Sequence, residues 1–189
     1  MQRPYIVGLG GTTRVGSSTE KALSLALKAV ASQDADTLLL CGADLDLPAS
    51  RIATELSRAD GIILGTPSYH GGISGLVENA LDYTEELRGD KRPYLEGRSV
   101  GCLVTAAGEQ GAVTTLGALR SVVHALRGWP IPLVSPLSPR NRSLTPQATA
   151  YRRGLRSNFE SCRSRCWILP ASGKSHCGLP APRLGAAFG

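Results

Sequence analysis

The stretch from Leu9 to Thr19, Leu-Gly-Gly-Thr-Thr-Arg-Val-Gly-Ser-Ser-Thr, constrains this chain more than any other. The apolar run Tyr5-Ile6-Val7 precedes it, and Ala22, Leu23, Ala26, Leu27 and Val30 follow at the spacing of one helix face. It therefore joins a strand to a helix. At such a junction the first N–H groups of the helix lack partners and the helix dipole is positive, so an anion is favoured there. Hydroxyls at Thr12, Thr13, Ser17, Ser18 and Thr19 and the guanidinium of Arg14 add donors to the loop. Glycines at 8, 10, 11 and 16 permit positive φ and a close backbone approach to a ligand.

Three kinds of phosphate loop compete for this stretch. A Walker loop needs a lysine near its end, and the first lysine of the chain is Lys21. A dinucleotide fingerprint counted from Gly8 and Gly10 needs a third glycine where Thr13 stands, although Asp34 and Asp36 lie near the place of a ribose-binding acid. The third kind wraps hydroxyls and N–H groups around a terminal phosphomonoester, and it is the reading adopted. A plainer role stands beside it. Ser17-x-x-Glu20 is a capping box, which starts a helix without binding anything.

Further along, short apolar runs alternate with helical patterns. Thr37–Cys41 reads as a buried second strand, Ala49–Ala59 as a helix, and Gly61–Gly65 as a third buried strand stopped by Thr66-Pro67. Ile73–Leu87 reads as a helix, Arg98–Thr105 as a fourth strand, and the following segment as a helix with Leu116, Leu119, Val123 and Leu126 on one face. Pro130–Val134 is a poorer strand whose prolines suit a sheet edge. Strict alternation argues an α/β fold with a doubly wound parallel five-stranded sheet and helices on both faces. Ligands bind such sheets beyond the carboxyl ends of the strands. The loops Gly10–Thr19, Thr66–Ser74 and Ala106–Gly111 then form one site.

Charge narrows the partners. The net charge of +6 arises outside the first 150 residues, which balance 14 basic against 14 acidic side chains. Residues 151–189 carry seven basic side chains and the single acid Glu160, without the interleaved aromatics of a nucleic-acid surface. Neither a nucleic-acid nor a membrane partner is expected, since no apolar run nears the roughly 18 residues that span a bilayer. A cytoplasmic protein is expected, with one domain over residues 1–160. Residues 161–189, which hold Cys162, Cys166 and Cys177, read as a poorly ordered tail or an oligomer contact. Their spacing, with His176, matches no standard zinc module, so no metal is expected. Cys41 and Cys102 read as buried small hydrophobes.

Three segments together resemble the NADPH-dependent FMN reductase family. They are Gly11-Thr12-x-Arg14-x-x-Ser17-x-Thr19, the run Ala59–Gly71 containing Thr66-Pro67-Ser68-Tyr69-His70-Gly71, and Gly75-x-x-x-Asn79-Ala80-Leu81-Asp82. The resemblance covers roughly the first 130 residues and implies a flavodoxin-like fold, FMN as cofactor, and NADPH or NADH as co-substrate. It implies that Thr12, Arg14, Ser17 and Thr19, with Ser18 beside them, hold the FMN phosphate. Pro67, Ser68, Tyr69, His70 and Gly71 would line the isoalloxazine, and Gly108 with Glu109 would close the other side. Departures from the family pattern are Thr12 for serine, His70 for asparagine and Glu78 for lysine, the last on a helix the family uses at its dimer contact.

The implied activity is hydride transfer from the nicotinamide to FMN, with reduced flavin passed to a partner oxygenase or electrons to a quinone-like acceptor. The protein would be a homodimer or homotetramer. No catalytic side chain is required, because the cofactor supplies the electronics; His70 is a candidate proton donor. Two alternatives are an FMN electron carrier and an FMN-dependent tailoring enzyme of natural-product biosynthesis. Carriers are strongly acidic, and residues 1–150 are not.

Overall fold

The computed structural model describes residues 3–46 and 48–131 and the backbone of 136–137. The expectations for residues 161–189 fall outside them. Strands β1 (Tyr5–Gly10), β2 (Asp36–Cys41), β3 (Gly61–Pro67) and β4 (Ser99–Thr105) alternate with helices α1 (Ser18–Ala31), α2 (Ala49–Arg58), α3 (Gly75–Asp82) and α4 (Glu109–Ala125). Two short strands follow, β5 (Trp129–Pro130) and β6 (Pro136–Leu137). All pairings are parallel, in the order β2-β1-β3-β4-β5. This is the doubly wound order of flavodoxin-like sheets, with its switch point between β1 and β3. β5 pairs with Ser99 and Val100 and β6 with Val104 and Thr105, so the fifth strand position is filled by two short pieces. The strand expected over Pro130–Val134 therefore begins at Trp129 and lies at an edge, where prolines leave no central ladder bond unmade.

Burial follows position in the sheet. Every residue of the central β3 is buried, which explains why Gly61-Ile-Ile-Leu-Gly is continuously apolar. β2 corrects the expectation of a buried strand. It lies at the sheet edge with Asp36 and Thr37 exposed and only Leu40 fully buried, because a β1 neighbour on one side leaves the other side to solvent. Cys41 is accordingly half-buried, whereas Cys102 in β4 is buried as expected. Burial raises both thiols, that of Cys102 to about 12.

Two further boundaries differ. β3 runs through Pro67 rather than stopping at Gly65, since the proline is its last residue and the ladder resumes at Ser68 N–H, which donates to Thr105 O at 2.8 Å. The helix expected over Ile73–Leu87 starts two residues later and tightens to a 3-10 turn over Tyr83–Leu87.

The two faces are covered unequally. Leu23, Ala26 and Leu27 of α1 pack on Ile6, Ile63 and Ile131. On the other face Ile52 and Leu56 of α2, Val77 and Leu81 of α3, and Leu119 and Val123 of α4 pack with Val7, Leu9, Leu64 and Val100. Helix α1 sits close because Gly65 has no side chain: a Cβ there would stand 2.7–2.9 Å from three carbons of Leu23. At the amino edge of the sheet the buried Arg98 guanidinium donates to the carbonyls of Ser57 (2.6 Å), Ala59 (3.2 Å), Tyr94 (3.1 Å) and Glu96 (3.4 Å). Burial, and secondarily Arg92, brings its pKa down to about 10 against the pull of Asp90 and Asp60, and it stays charged at neutral pH.

Gly65→Ala should force α1 off the sheet and destabilise the protein by about 1–3 kcal/mol. Urea unfolding checks this through a lower midpoint at unchanged slope. Parental stability would mean that α1 is not seated on Gly65.

Candidate functional site

The first loop leaves the sheet through a tight backbone crossing. Gly10 has φ +140° and Gly11 φ +107°, and Gly11 N–H donates to Gly65 O at 3.0 Å. A Cβ on Gly10 would lie 1.8 Å from that same carbonyl oxygen, so only glycine fits. The chain is thus delivered to the carboxyl ends of β1 and β3, the switch point of the sheet.

Within the loop the expected residues divide. Thr12 Oγ1 accepts from Arg14 N–H (3.1 Å) and lies 3.2 Å from Arg14 O, which closes a local turn. That turn presents Arg14 to solvent, and its guanidinium makes no ion pair among the described residues. Ser17 is buried and caps α1: its hydroxyl accepts from Glu20 N–H at 3.2 Å, while Glu20 Oε2 accepts from Gly16 N–H at 2.8 Å. The capping box is therefore real and coexists with the loop. Ser18, the first residue of α1, is exposed. Thr19 is buried, with its hydroxyl 2.6 Å from Thr105 Oγ1 at the end of β4, so it joins α1 to the sheet.

The second loop is a turn. Tyr69 and Gly72 form an antiparallel bridge, with Gly72 N–H donating to Tyr69 O at 3.0 Å. The two residues between them, His70 (φ 53°) and Gly71 (φ 76°), are both left-handed, the signature of a type I′ turn. Histidine is among the side chains that tolerate this region. Tyr69 is 55% exposed, a flat aromatic at the rim. Pro67 is buried below it.

Helix α4 holds this turn from behind. Ser68 Oγ donates to Gly111 O at 3.1 Å and lies 2.7 Å from Thr115 Oγ1, which donates to Gly72 O at 3.3 Å. Thr115 is fully buried. The sequence reading missed it, because a mid-helix threonine looks like any other helical position. Gly111 leaves room for this contact, since a Cβ would stand 3.1 Å from Ser68 Oγ and push it aside by a few tenths of an ångström. The third loop is short: Gly108 is the N-cap of α4, and Glu109 is its first residue rather than part of a loop, both exposed.

The edge thus collects one unpaired cation, exposed hydroxyls, the first N–H groups of α1 and an exposed aromatic turn. This set fits a phosphomonoester joined to a flat ring: a Cβ on Gly16 would meet nothing within 4 Å, which leaves the backbone open to a ligand there, and Arg14 has no internal partner to give up. Among the described residues no cluster of metal-ligating side chains occurs, and no helix is long and apolar enough to cross a membrane.

Comparison with known proteins agrees with this geometry. The model of the NADPH-dependent FMN reductase family matches residues 4–142. An FMN-dependent NADPH-azoreductase of Staphylococcus haemolyticus (strain JCSC1435) is 35% identical over 81 residues, which are 41% of this chain and 38% of that protein. An NADPH azoreductase of Bacillus sp. (strain OY1-2) is 31% identical over 82 residues, 43% of each chain. The matched stretches therefore span about two fifths of those relatives. Among solved structures, an apo NADH:FMN oxidoreductase superposes with a TM-score of 0.67 at 20% identity, covering 84% of this chain and 89% of that one. A flavodoxin, WrbA-like protein from Agrobacterium tumefaciens superposes with a TM-score of 0.63 at 18% identity, covering 85% and 98%. These two likenesses establish the fold.

Thr115→Val keeps the shape of the side chain and removes the hydroxyl shared by Ser68 and Gly72. It should cost about 1–2 kcal/mol. Amide exchange at Tyr69–Gly72 should accelerate by more than that global loss accounts for. Exchange that accelerates uniformly along the chain would mean that Thr115 does not hold the turn.

Proposed function

The chain belongs to the NADPH-dependent FMN reductase family, and we propose that it is an NAD(P)H-dependent flavin oxidoreductase that binds FMN at the carboxyl edge of its sheet. The observation that carries this reading is the exposed, unpaired Arg14 on a loop pinned to the switch point beside the Tyr69–Gly72 turn. Arg14, the exposed Ser18 hydroxyl and the first N–H groups of α1 would hold the phosphate, with Thr12, Ser17 and Thr19 shaping the loop through the bonds described above. Pro67, Tyr69, His70 and Gly71 would line one side of the ring. Ser68 would act by anchoring the turn, because its hydroxyl is already spent on α4. Gly108 and Glu109 would bound the other side.

When bound, FMN supplies the redox chemistry, taking up two electrons from reduced nicotinamide and handing them on. The side chains position and neutralise. Arg14 offsets phosphate charge, and the rigid turn presents main-chain groups to the ring edge without reorganisation. His70, exposed on that turn, would be the proton donor. The acceptor is a quinone-like compound or a partner oxygenase, and the names of the two bacterial relatives add azo compounds to the panel worth testing. A homodimer or homotetramer belongs to the same reading, supported by the exposed Val15, Tyr69 and Val113 on these loops and the first turns of α4. The cytoplasm, where reduced nicotinamide is held, is the expected compartment.

Mixed with excess FMN and NADPH in air, the protein should consume nicotinamide steadily, whereas a flavodoxin-like carrier would bind FMN without that turnover. Arg14→Ala should weaken FMN roughly ten-fold and leave riboflavin, which lacks the phosphate, nearly unchanged. Fluorescence titration of both flavins checks this. Equal losses for FMN and riboflavin would remove the phosphate assignment.

A further inference from the structure

Glu20, in the first turn of α1, is the residue beside the first loop whose charge runs against the proposed ligand. From Gly8 through the first turn of α1 the chain carries two bases, Arg14 and Lys21, and one acid, Glu20. The carboxylate of Glu20 is half-buried and accepts from Gly16 N–H at 2.8 Å, a main-chain donor of the anion-binding loop itself. It lies on the β2 side of the loop. Its charge reaches Cys41, where it adds to burial and to Asp44 in raising the thiol. Cys41 in turn neighbours Gly11, whose added Cβ would stand 3.4 Å from the Cys41 Cβ. No cation pairs with Glu20 among the described residues, since Arg14 points to solvent and the ion pairs lie elsewhere. A dianionic phosphate seated here meets an unpaired carboxylate that has already taken one of the loop's main-chain donors.

We infer that Glu20 holds down the affinity of this loop for a phosphate dianion, so that FMN exchanges with solution as a substrate instead of staying with the protein. This rests on the FMN reading above and deepens it. A helix-capping role alone does not require the charge. Glutamine at this position also completes a capping box, its amide oxygen accepting the same N–H. The charge is therefore separable from the cap. Like charges near a protein surface repel through an effective dielectric well below that of water, and salt screens the repulsion.

The test uses the full chain and its Glu20→Gln variant, each titrated with FMN and with riboflavin at low and at high salt, and each passed through a desalting column after loading with FMN. The variant should bind FMN roughly five- to fifty-fold more tightly at low salt, with the gain shrinking as salt rises. Riboflavin affinity should not change. Parent protein should leave the column colourless, and the variant should retain flavin. Thermal unfolding of the two proteins should coincide, whereas Glu20→Ala, which breaks the box, should melt lower. Unchanged or weaker FMN binding by Glu20→Gln, or an equal gain for riboflavin, would overturn the inference and leave Glu20 as a cap. Failure of every form to bind either flavin would overturn the FMN reading itself, and this inference with it.

Discussion

The crossing of Gly10 over the end of β3 is the constraint on which the site depends. There is no room for a Cβ between Gly10 and the Gly65 carbonyl, and that carbonyl is at the same time the acceptor for Gly11 N–H. The two backbones are therefore locked at a distance that only glycine permits. Gly65 serves twice, because its other face receives Leu23 of α1. One residue thus fixes the exit of the first loop and the seat of the helix that the loop enters. The start of α1, where the N–H groups of Ser18 and Thr19 precede the capped Glu20 N–H, is placed at the carboxyl edge of the sheet as a result.

Most of this architecture was legible because it is written in periodicity. Helix α1 shows its apolar stripe plainly, and Ala22, Leu23, Ala26 and Leu27 are the residues it buries. Central β3 reads as an apolar run for the same reason. Edge position, by contrast, leaves no mark on a short run. Thr37-Leu-Leu-Leu-Cys looks as buried as Gly61-Ile-Ile-Leu-Gly, and only the sheet order exposes one of them. The fifth strand position, split between Trp129–Pro130 and Pro136–Leu137, was blurred by prolines that suit an edge but hide a register.

In the candidate site, residue type was legible where backbone chemistry selects it. Glycines, hydroxyls and Arg14 mark the first loop directly. His70 is read more fully from its backbone: a left-handed turn position favours asparagine and histidine alike, which accounts for the exchange between this chain and the pattern it resembles. What escaped detection were contacts between elements distant in sequence. Thr115 reaches the turn from the helix behind it, and Thr19 spends its hydroxyl on Thr105, contacts 43 to 47 and 86 residues apart in sequence. No local window contains both partners.

Arg98 marks the opposite edge of the sheet. Its guanidinium gathers four carbonyls from the end of α2 and from the segment before β4, using charge-assisted bonds that a lysine, with a single ammonium, has no geometry to reproduce. The loops of the carboxyl edge are tied by a mixture of contacts: main-chain bonds, the Glu20 carboxylate on Gly16 N–H, and the hydroxyls of Ser68, Thr115 and Thr19. The two edges are therefore held by different chemistry, one by a buried guanidinium and the other by several smaller contacts. The four carbonyls that Arg98 gathers lie at the end of the sheet opposite the candidate site, so a change in the loops of that site leaves this anchor untouched.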